Sequence, residues 1–466
     1  MSMPDLAAVL PDAPIRIAVV GHTNTGKTSL LRTLTRNSRF GMVADRPGTT
    51  RHVEGARLLL DGKPAIAWYD TPGIEDSIAL LEYLDDLARD DRLDGPARIK
   101  RFLDTPEARG RFEQEARVLS RMLESDAALY VIDARDPVLA KHRDELEILN
   151  ACGRPLLPVL NFVNAPDHRV AEWRDAMSRL GLHATAEFDT VLPALDGEAQ
   201  LYARLALLLD READLLRRLA DDLAQQRRDR REAAYRIGAE VLVDVAALHV
   251  QSGNDGAALA ASGERLQTSV RIREQSGIDA LLALYNFSRE DYAAEHLPLE
   301  GTRWGMDLFH PQTLKDMGVQ LGAGVAAGAM AGAAVDVLTA GLSLGTGMLI
   351  GAAAGGMWQG VERFGKRLAG RVRGYRELSV DDAVLRVLAL RQRALIQALE
   401  RRGHAATAPL QLVAAQDEKW RKAALPDGLK EARSRPEWSA LAPGHDDDAR
   451  RKTVVKQLAQ DLARAE

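Results

Sequence analysis

The chain has 466 residues, 46% of them hydrophobic and 5% aromatic, a length that suggests roughly two to four domains with ample material for buried cores. Its 62 Lys and Arg against 67 Asp and Glu leave a net charge of −5, which argues against a dedicated nucleic-acid binder. A single cysteine, Cys152, excludes an intrachain disulfide and fits a reducing, cytoplasmic compartment, and "MSMPDLAAVLPDAPIR" has neither the basic start nor the apolar run of a signal peptide.

Residues 15–20, "IRIAVV", read as a fully buried strand, and "GHTNTGKTSLLRTL" as a glycine-bearing loop running into a helix. "ARLLLDGKPAIAWYD" reads as two strands joined by Asp61-Gly62, a hairpin signal. A charged, helix-prone insertion fills the interval between Gly73 and Ser125. Two more buried strands follow at 127–136 and 154–163, with the helical pattern "DELEILNACG" between them. Strands alternating with helices predict an α/β domain with a doubly wound, mainly parallel sheet and one antiparallel edge.

After residue 195 the strand signals stop. A long amphipathic helical pattern covers 201–250, and "RLQTSVRIREQSGIDALLALYNF" continues it. The segment 295–311 reads as a linker or irregular cap, 381–402 as another helix, and the tail as polar with Pro at 409, 426, 436 and 443. The expected organisation is therefore a domain at 1–195, a helical domain at 196–311, a Gly-rich apolar hairpin with a basic flank at 312–376, and a helical region at 377–466.

Gly21-His22-Thr23-Asn24-Thr25-Gly26-Lys27-Thr28 matches the phosphate-binding loop pattern GxxxxGK[ST], with the required strand before it and helix after it. The glycines let backbone N–H groups close around a phosphate chain, and the helix that carries Ser29 adds its positive end. Lys27 is expected to reach the β- and γ-phosphates and Thr28 to ligate Mg²⁺. Asp70-Thr71-Pro72-Gly73 ends a strand, so Asp70 is a second candidate for Mg²⁺ and the Gly73 N–H a candidate sensor of the γ-phosphate. Between them lies "RPGTTR" (46–51), where Thr49 or Thr50 can close onto the metal and the γ-phosphate; Thr50 is the residue adopted, for the metal and for catalysis with Lys27, Asp70 and Gly73.

The order "GxxNxGKTSL … PGTTR … DTPG" resembles the TrmE–Era–EngA branch of bacterial GTPases, the ribosome-binding-type G domains, over about residues 14–195. The remainder resembles the helical, Gly-rich extension that follows such a G domain in one bacterial family of unknown function. The resemblance implies a P-loop G domain that binds GTP and hydrolyses it to GDP as a conformational switch. Asn24 matches a loop Asn that places K⁺ beside the phosphates in potassium-activated members, or else only caps the loop. Ile74 stands where other G domains carry a water-orienting Gln, so slow hydrolysis is expected, raised by a cation, a partner or a nucleotide-dependent dimer. The base-reading motif, NKxD in the resembled proteins, is Asn161-Phe162-Val163-Asn164 here, with Asn164-Ala165-Pro166-Asp167 as a later frame. Asn161 and Asn164 are the base-binding candidates. A neutral amide at 164 gives up a charge-assisted bond worth about 1.5–3 kcal/mol. The segment 184–190, "ATAEFDT", is the candidate for the last nucleotide motif.

Two Gly runs, with Gly at 324, 328 and 332 and at 347, 351 and 355, form a glycine zipper that lets helix backbones approach closely. The uncharged stretches 317–335 and 337–361 are near the length that crosses a bilayer, and Arg363, Lys366, Arg367, Arg371 and Arg373 follow. The reading adopted is contact with an anionic membrane surface or a membrane protein at the cytoplasmic face of the inner membrane. A tightly packed hairpin in a soluble domain is the alternative, because Ala and Gly insert weakly and Asp336 needs a polar setting. Rival functions are a ribosome-assembly GTPase and a dynamin-like mechanical membrane GTPase. A nucleic-acid partner is not expected.

Overall fold

The computed structural model describes residues 13–36, 54–89, 93–287, 299–300, 303–304, 307–310, 342–343, 375–402, 420–421 and 424–464. Thr49, Thr50 and the glycines of both Gly runs lie outside them. The chain forms two compact units, Met1–Arg228 with Arg401–Thr407, and Asp229–Glu400 with Ala408–Glu466.

The first unit is built on a six-stranded sheet. Its strands are β1 (Ile15–Val20), β2 (Glu54–Leu60), β3 (Lys63–Asp70), β4 (Ala127–Asp133), β5 (Leu156–Asn161) and β6 (Ala186–Glu187). They lie in the order β2-β3-β1-β4-β5-β6, with every pairing parallel except β2–β3. This is the mainly parallel sheet with an antiparallel edge that the sequence implies. Asp61 and Gly62, at the β2–β3 turn, both have positive φ, as a tight two-residue hairpin requires. β4 and β5 are buried along their whole length, because helices cover both faces of a parallel sheet.

Strand alternation divides the core in two. Ile17, Val19, Leu129 and Val131 face one side, with Leu30, Leu31 and Leu34 of helix α1 (Lys27–Thr35). Ala18, Val20, Tyr130 and Ile132 face the other, with helices α2 (Ser77–Ala88), α3 (Gly95–Leu103), α4 (Glu113–Glu124), α5 (Ala140–Asn150) and α6 (Val170–Arg179). The insertion after Gly73 is thus part of the fold: Ile99, Phe102, Phe112 and Leu119 are buried against the sheet. On the first side, helix α7 (Gly197–Leu208) and the start of helix α8 (Ala213–Ala247) supply Leu201, Tyr202, Leu205, Leu216 and Leu219. Residues beyond 195 therefore complete the first core. Truncating one of these leucines to Ala costs about 2–5 kcal/mol.

The second unit is mostly helical, around the later part of α8, α9 (Gly256–Leu284), α10 (Asp382–Glu400), α11 (Asp427–Arg433) and α12 (Ala449–Arg464). This is as expected, but the unit also holds strands where the sequence shows no strand signal. α8 stops at Ala247, and His249–Gly253 forms strand β7 instead of continuing the helix. Two short strands, β8 (Leu299–Glu300) and β9 (Arg303–Trp304), pair antiparallel inside the segment read as a linker. β10 (Leu342–Ser343) and β11 (Tyr375–Val380) then complete a three-stranded antiparallel sheet in the order β10-β11-β7. β7 is a strand because β11 satisfies its backbone groups, a partner far along the chain that local periodicity does not reveal. The polar tail is structural too: Trp438, Leu458 and Leu462 are fully buried. Asp244 of α8, 1% exposed, accepts from Arg273 Nε at 2.7 Å and from Arg451 of the tail at 2.8 Å. Among the described residues no helix is long and apolar enough to cross a membrane.

Candidate nucleotide site

The candidate residues gather at the carboxyl edge of the sheet, where open α/β folds bind ligands. β1 runs in register with β3, so Val19 stands beside Asp70, and the loop after β1 lies next to Asp70-Thr71-Pro72-Gly73. β4 and β5 end level with each other, at Asp133 and Asn161.

The loop Gly21–Gly26 turns sharply into α1, whose first bond runs from Leu30 N to Gly26 O at 2.8 Å. Gly26 has φ 93°, and a Cβ there would sit 2.4 Å from Asn161 Nδ2, so only glycine fits. Asn24 is exposed and also has positive φ, 67°, a conformation Asn tolerates. Thr25 is buried and donates through Oγ1 to His22 O at 3.0 Å. Ser29 lies half-buried in the first turn of α1.

Lys27 is buried inside this loop, and its Nζ donates to Gly21 O at 3.1 Å and His22 O at 2.7 Å. Burial pushes its ammonium down to about 8, against the opposing pull of Asp70 and Glu145. Negative charge brought close to this ammonium, as on a polyphosphate, would offset the cost of its burial further. Thr28 Oγ1 donates to Asp70 Oδ2 at 2.6 Å, and Asp70 is 1% exposed. A hydroxyl and a buried carboxylate brought together in this way are the hard oxygen donors that suit Mg²⁺. Thr71, also buried, donates to Val19 O at 2.8 Å and pins the start of the next loop to β1. Gly73 meets the phosphate loop so closely that a Cβ would lie 2.2 Å from Thr23 Oγ1 and 2.7 Å from Thr23 N. Thr23 Oγ1 is buried with no hydrogen-bond partner among the described residues. The sequence-read residues at the phosphate end therefore converge, apart from Thr50, which is not described.

The base end differs from a simple motif. Asn161 is fully buried; its Nδ2 donates to Thr25 O at 3.0 Å, while its Oδ1 accepts from Phe162 N at 2.9 Å and Thr190 N at 3.0 Å. One side chain thus ties the phosphate loop to the segment after β6. Phe162 takes positive φ, 59°, and Arg135 stacks on its ring with 4.1 Å to the centroid. Arg135 is itself gripped by Asp133, at 2.9 Å and 2.6 Å, which raises its pKa. Asn164 is exposed and its Nδ2 donates to Leu192 O at 3.0 Å.

A further cluster escaped the sequence reading. Glu145 on α5 is fully buried and accepts from Tyr130 OH at 2.7 Å. His22 Nδ1 lies 2.7 Å from the other Glu145 oxygen, and Lys141 Nζ 2.9 Å from His22 Nε2. The Lys141 ammonium has only protons to give, so Nε2 accepts and Nδ1–H donates to Glu145. The second residue of the phosphate loop is thereby anchored to α5. Burial, then Glu145, holds the Tyr130 phenol well above its ordinary range. No local pattern announces this contact, since its partners are 123 residues apart.

Residues 174–460, more than half of the chain, match the family profile described as a domain of unknown function, DUF3482. The chain belongs to this family. The match begins within α6, and the preceding residues 16–162 match the profile described as 50S ribosome-binding GTPase. Among curated relatives, the tRNA modification GTPase MnmE of Synechococcus sp. (strain CC9605) is 30% identical over 213 residues, 45% of this chain and 40% of that protein. MnmE of Prochlorococcus marinus (strain MIT 9303) is 44% identical over 70 residues, 15% of each chain. The chain thus spans less than half the length of the curated relatives it matches. Among solved structures, Era of Aquifex aeolicus bound to GDP.AlF4− is 18% identical over 38% of this chain and 50% of that one, with a TM-score of 0.27. The G domain of the T. maritima FeoB iron transporter is 20% identical over 42% of this chain and 99% of that one, with a TM-score of 0.25. This DUF3482 chain carries a P-loop G domain of the GTPase class, followed by a mostly helical region.

Proposed function

We propose that the chain is a GTP-driven switch that binds GTP with Mg²⁺, hydrolyses it to GDP, and passes the change to a C-terminal half in contact with a membrane or a membrane partner at its cytoplasmic face. The observation that carries the nucleotide reading is the phosphate end of the site. A buried ammonium, Lys27, is enclosed by the loop's own carbonyls, and Thr28 meets the buried carboxylate of Asp70 at 2.6 Å. Lys27 and the loop amides bind the phosphate oxygens, and Thr28, Asp70 and Thr50 are the residues that would hold Mg²⁺, which when bound offsets the charge on the phosphates. Gly73 N–H is the group that senses the terminal phosphate. Ile74 is fully buried and has no proton to exchange, so the attacking water is not oriented from that position. Turnover is therefore slow on its own and rises with K⁺ held at Asn24, with dimerisation or with a partner.

The test is calorimetry with GTP and GDP in Mg²⁺. The wild type takes up both, Lys27→Ala takes up neither, and unchanged affinity in that variant would refute the phosphate site. Turnover in K⁺ against Na⁺ tests the cation; equal rates remove it. The membrane half of the reading is supported by the uncharged Gly-rich stretches and the basic residues after them. Flotation with anionic vesicles, with and without residues 318–360, tests it. The match of residues 16–162 to 50S ribosome-binding GTPases favours a second reading, action on ribosomal particles. Co-sedimentation with those particles and not with vesicles would select it.

A further inference from the structure

The base end of the site commits its hydrogen-bonding groups elsewhere, and the following inference rests on the nucleotide reading above. Asp189, 5% exposed, accepts through Oδ1 from Val191 N and Leu192 N, each at 2.9 Å, and through Oδ2 from Asn164 N at 3.0 Å. The turn amides nearest Asn164 are therefore spent on a protein carboxylate. Asn164 Nδ2 commits one of its two N–H donors as well, to Leu192 O at 3.0 Å. A carbonyl only accepts, so the amide can face it only through its nitrogen, which leaves Oδ1 as a neutral acceptor.

Guanine is told from other purines by two N–H donors on one edge and an oxo group at position 6. Hypoxanthine lacks the exocyclic donor, and adenine replaces the oxo group with an amine. Reading the two donors strongly needs a carboxylate, and reading the oxo group needs a donor. Asn164 offers one neutral oxygen and one remaining neutral N–H, and the amides of Val191 and Leu192 are taken. What remains is a flat aromatic surface, Phe162, with the Arg135 guanidinium stacked on it and its ring edge beside Gly26 of the phosphate loop. Any base can stack on such a surface.

We propose that this site takes purine nucleoside triphosphates as a class, held by the polyphosphate and by stacking on Phe162, and separates guanine from hypoxanthine and adenine only weakly. Asn164 is the specificity-determining residue, and its pinned amide is the cause of the relaxed reading.

The experiment measures affinity of the full-length chain in Mg²⁺ for GTP, ITP, ATP and inorganic tripolyphosphate by displacement of a fluorescent GTP analogue. GTP and ITP are expected within about threefold of each other and ATP within about tenfold of GTP, because Asn164 presents only neutral groups to the base. A preference for GTP above about a hundredfold over both would overturn the proposal, since discrimination of that size needs polar groups paired to the base. Failure of GTP, ITP, ATP and tripolyphosphate alike to bind would instead defeat the nucleotide reading itself. Asn164→Asp should widen the GTP-to-ITP ratio by about tenfold, the weight of one charge-assisted bond; an unchanged ratio would also overturn the proposal. Phe162→Ala should weaken all three nucleotides to a similar degree and leave tripolyphosphate unaffected, whereas loss confined to GTP would refute stacking as the common hold.

Discussion

Removing the side chain of Asn161 tests how the site is held together. Asn161→Ala deletes three bonds: from Nδ2 to Thr25 O, and to Oδ1 from Phe162 N and Thr190 N. Each backbone group left unpaired in the interior costs about 1–3 kcal/mol, so even the low end for all three gives about 3 kcal/mol. In a unit of this size each kcal/mol lowers Tm by about 2–4 °C, and the expected fall is therefore about 6–12 °C. Differential scanning calorimetry of the full chain with and without the substitution reads this shift. Added GTP with Mg²⁺ should raise the wild-type Tm and should raise the variant's less, because the loop carrying Thr25 has lost its brace. A variant that melts within 2 °C of wild type and gains as much from nucleotide would refute the account of Asn161 as the tie between the phosphate loop and the segment after β6.

Gly73→Ala places a methyl group 2.2 Å from Thr23 Oγ1 and 2.7 Å from Thr23 N, so GTP turnover should fall by about tenfold or more; adding Thr23→Ala should not restore it, because the main chain is also in the way, and rescue in a steady-state assay would contradict the geometry. Gln392 on α10 is fully buried, and neither of its amide atoms has a hydrogen-bond partner among the described residues. Gln392→Met should therefore stabilise the second unit by about 1 kcal/mol, seen as a higher urea midpoint, and a lower midpoint would argue against it. Burial pushes the Cys152 thiol from its ordinary 9.0 up to about 12. The native chain should not react with a thiol reagent at pH 8, although the unfolded chain reacts fully; rapid native labelling would refute the burial. The same shift has a sign in stability. The folded state favours the neutral thiol, so this contribution is complete below pH 9 and is lost as pH rises from there through about 12.

The phosphate end of the site was legible in the sequence because each part of it is local. A buried strand, a Gly-bearing loop, Lys27 and the start of α1 follow one another within fifteen residues, and Asp61-Gly62 marks its turn by itself. The contacts that complete the site are not local. Glu145 reaches His22, Asn164 is pinned by Leu192, and Arg135 stacks on Phe162, and each depends on where the sheet brings its strand ends. Asp189 lay inside a segment already picked out, "ATAEFDT", yet its role as the acceptor of three turn amides appears only in three dimensions. The same contrast separates the two units. The first announces its strands by continuous apolar runs, whereas β7 is five residues with no strong alternation, and helical periodicity on both sides hides it. The chain also contains stretches that lie outside the described residues, among them both Gly runs and Thr50.

The pairing of β7 with β11 sets a timetable for biosynthesis. Roughly 120 residues separate Gly253 from Tyr375, and at about 5–20 residues per second the ribosome takes about 6–24 s to make them. All six strands of the amino-terminal sheet have been made before β7 is. β7 must wait with an open edge until its mate emerges. That interval is when the nascent chain is most open to chaperone capture or to mispairing, and slowing translation between the two strands should lower the yield of the second unit far more than that of the first.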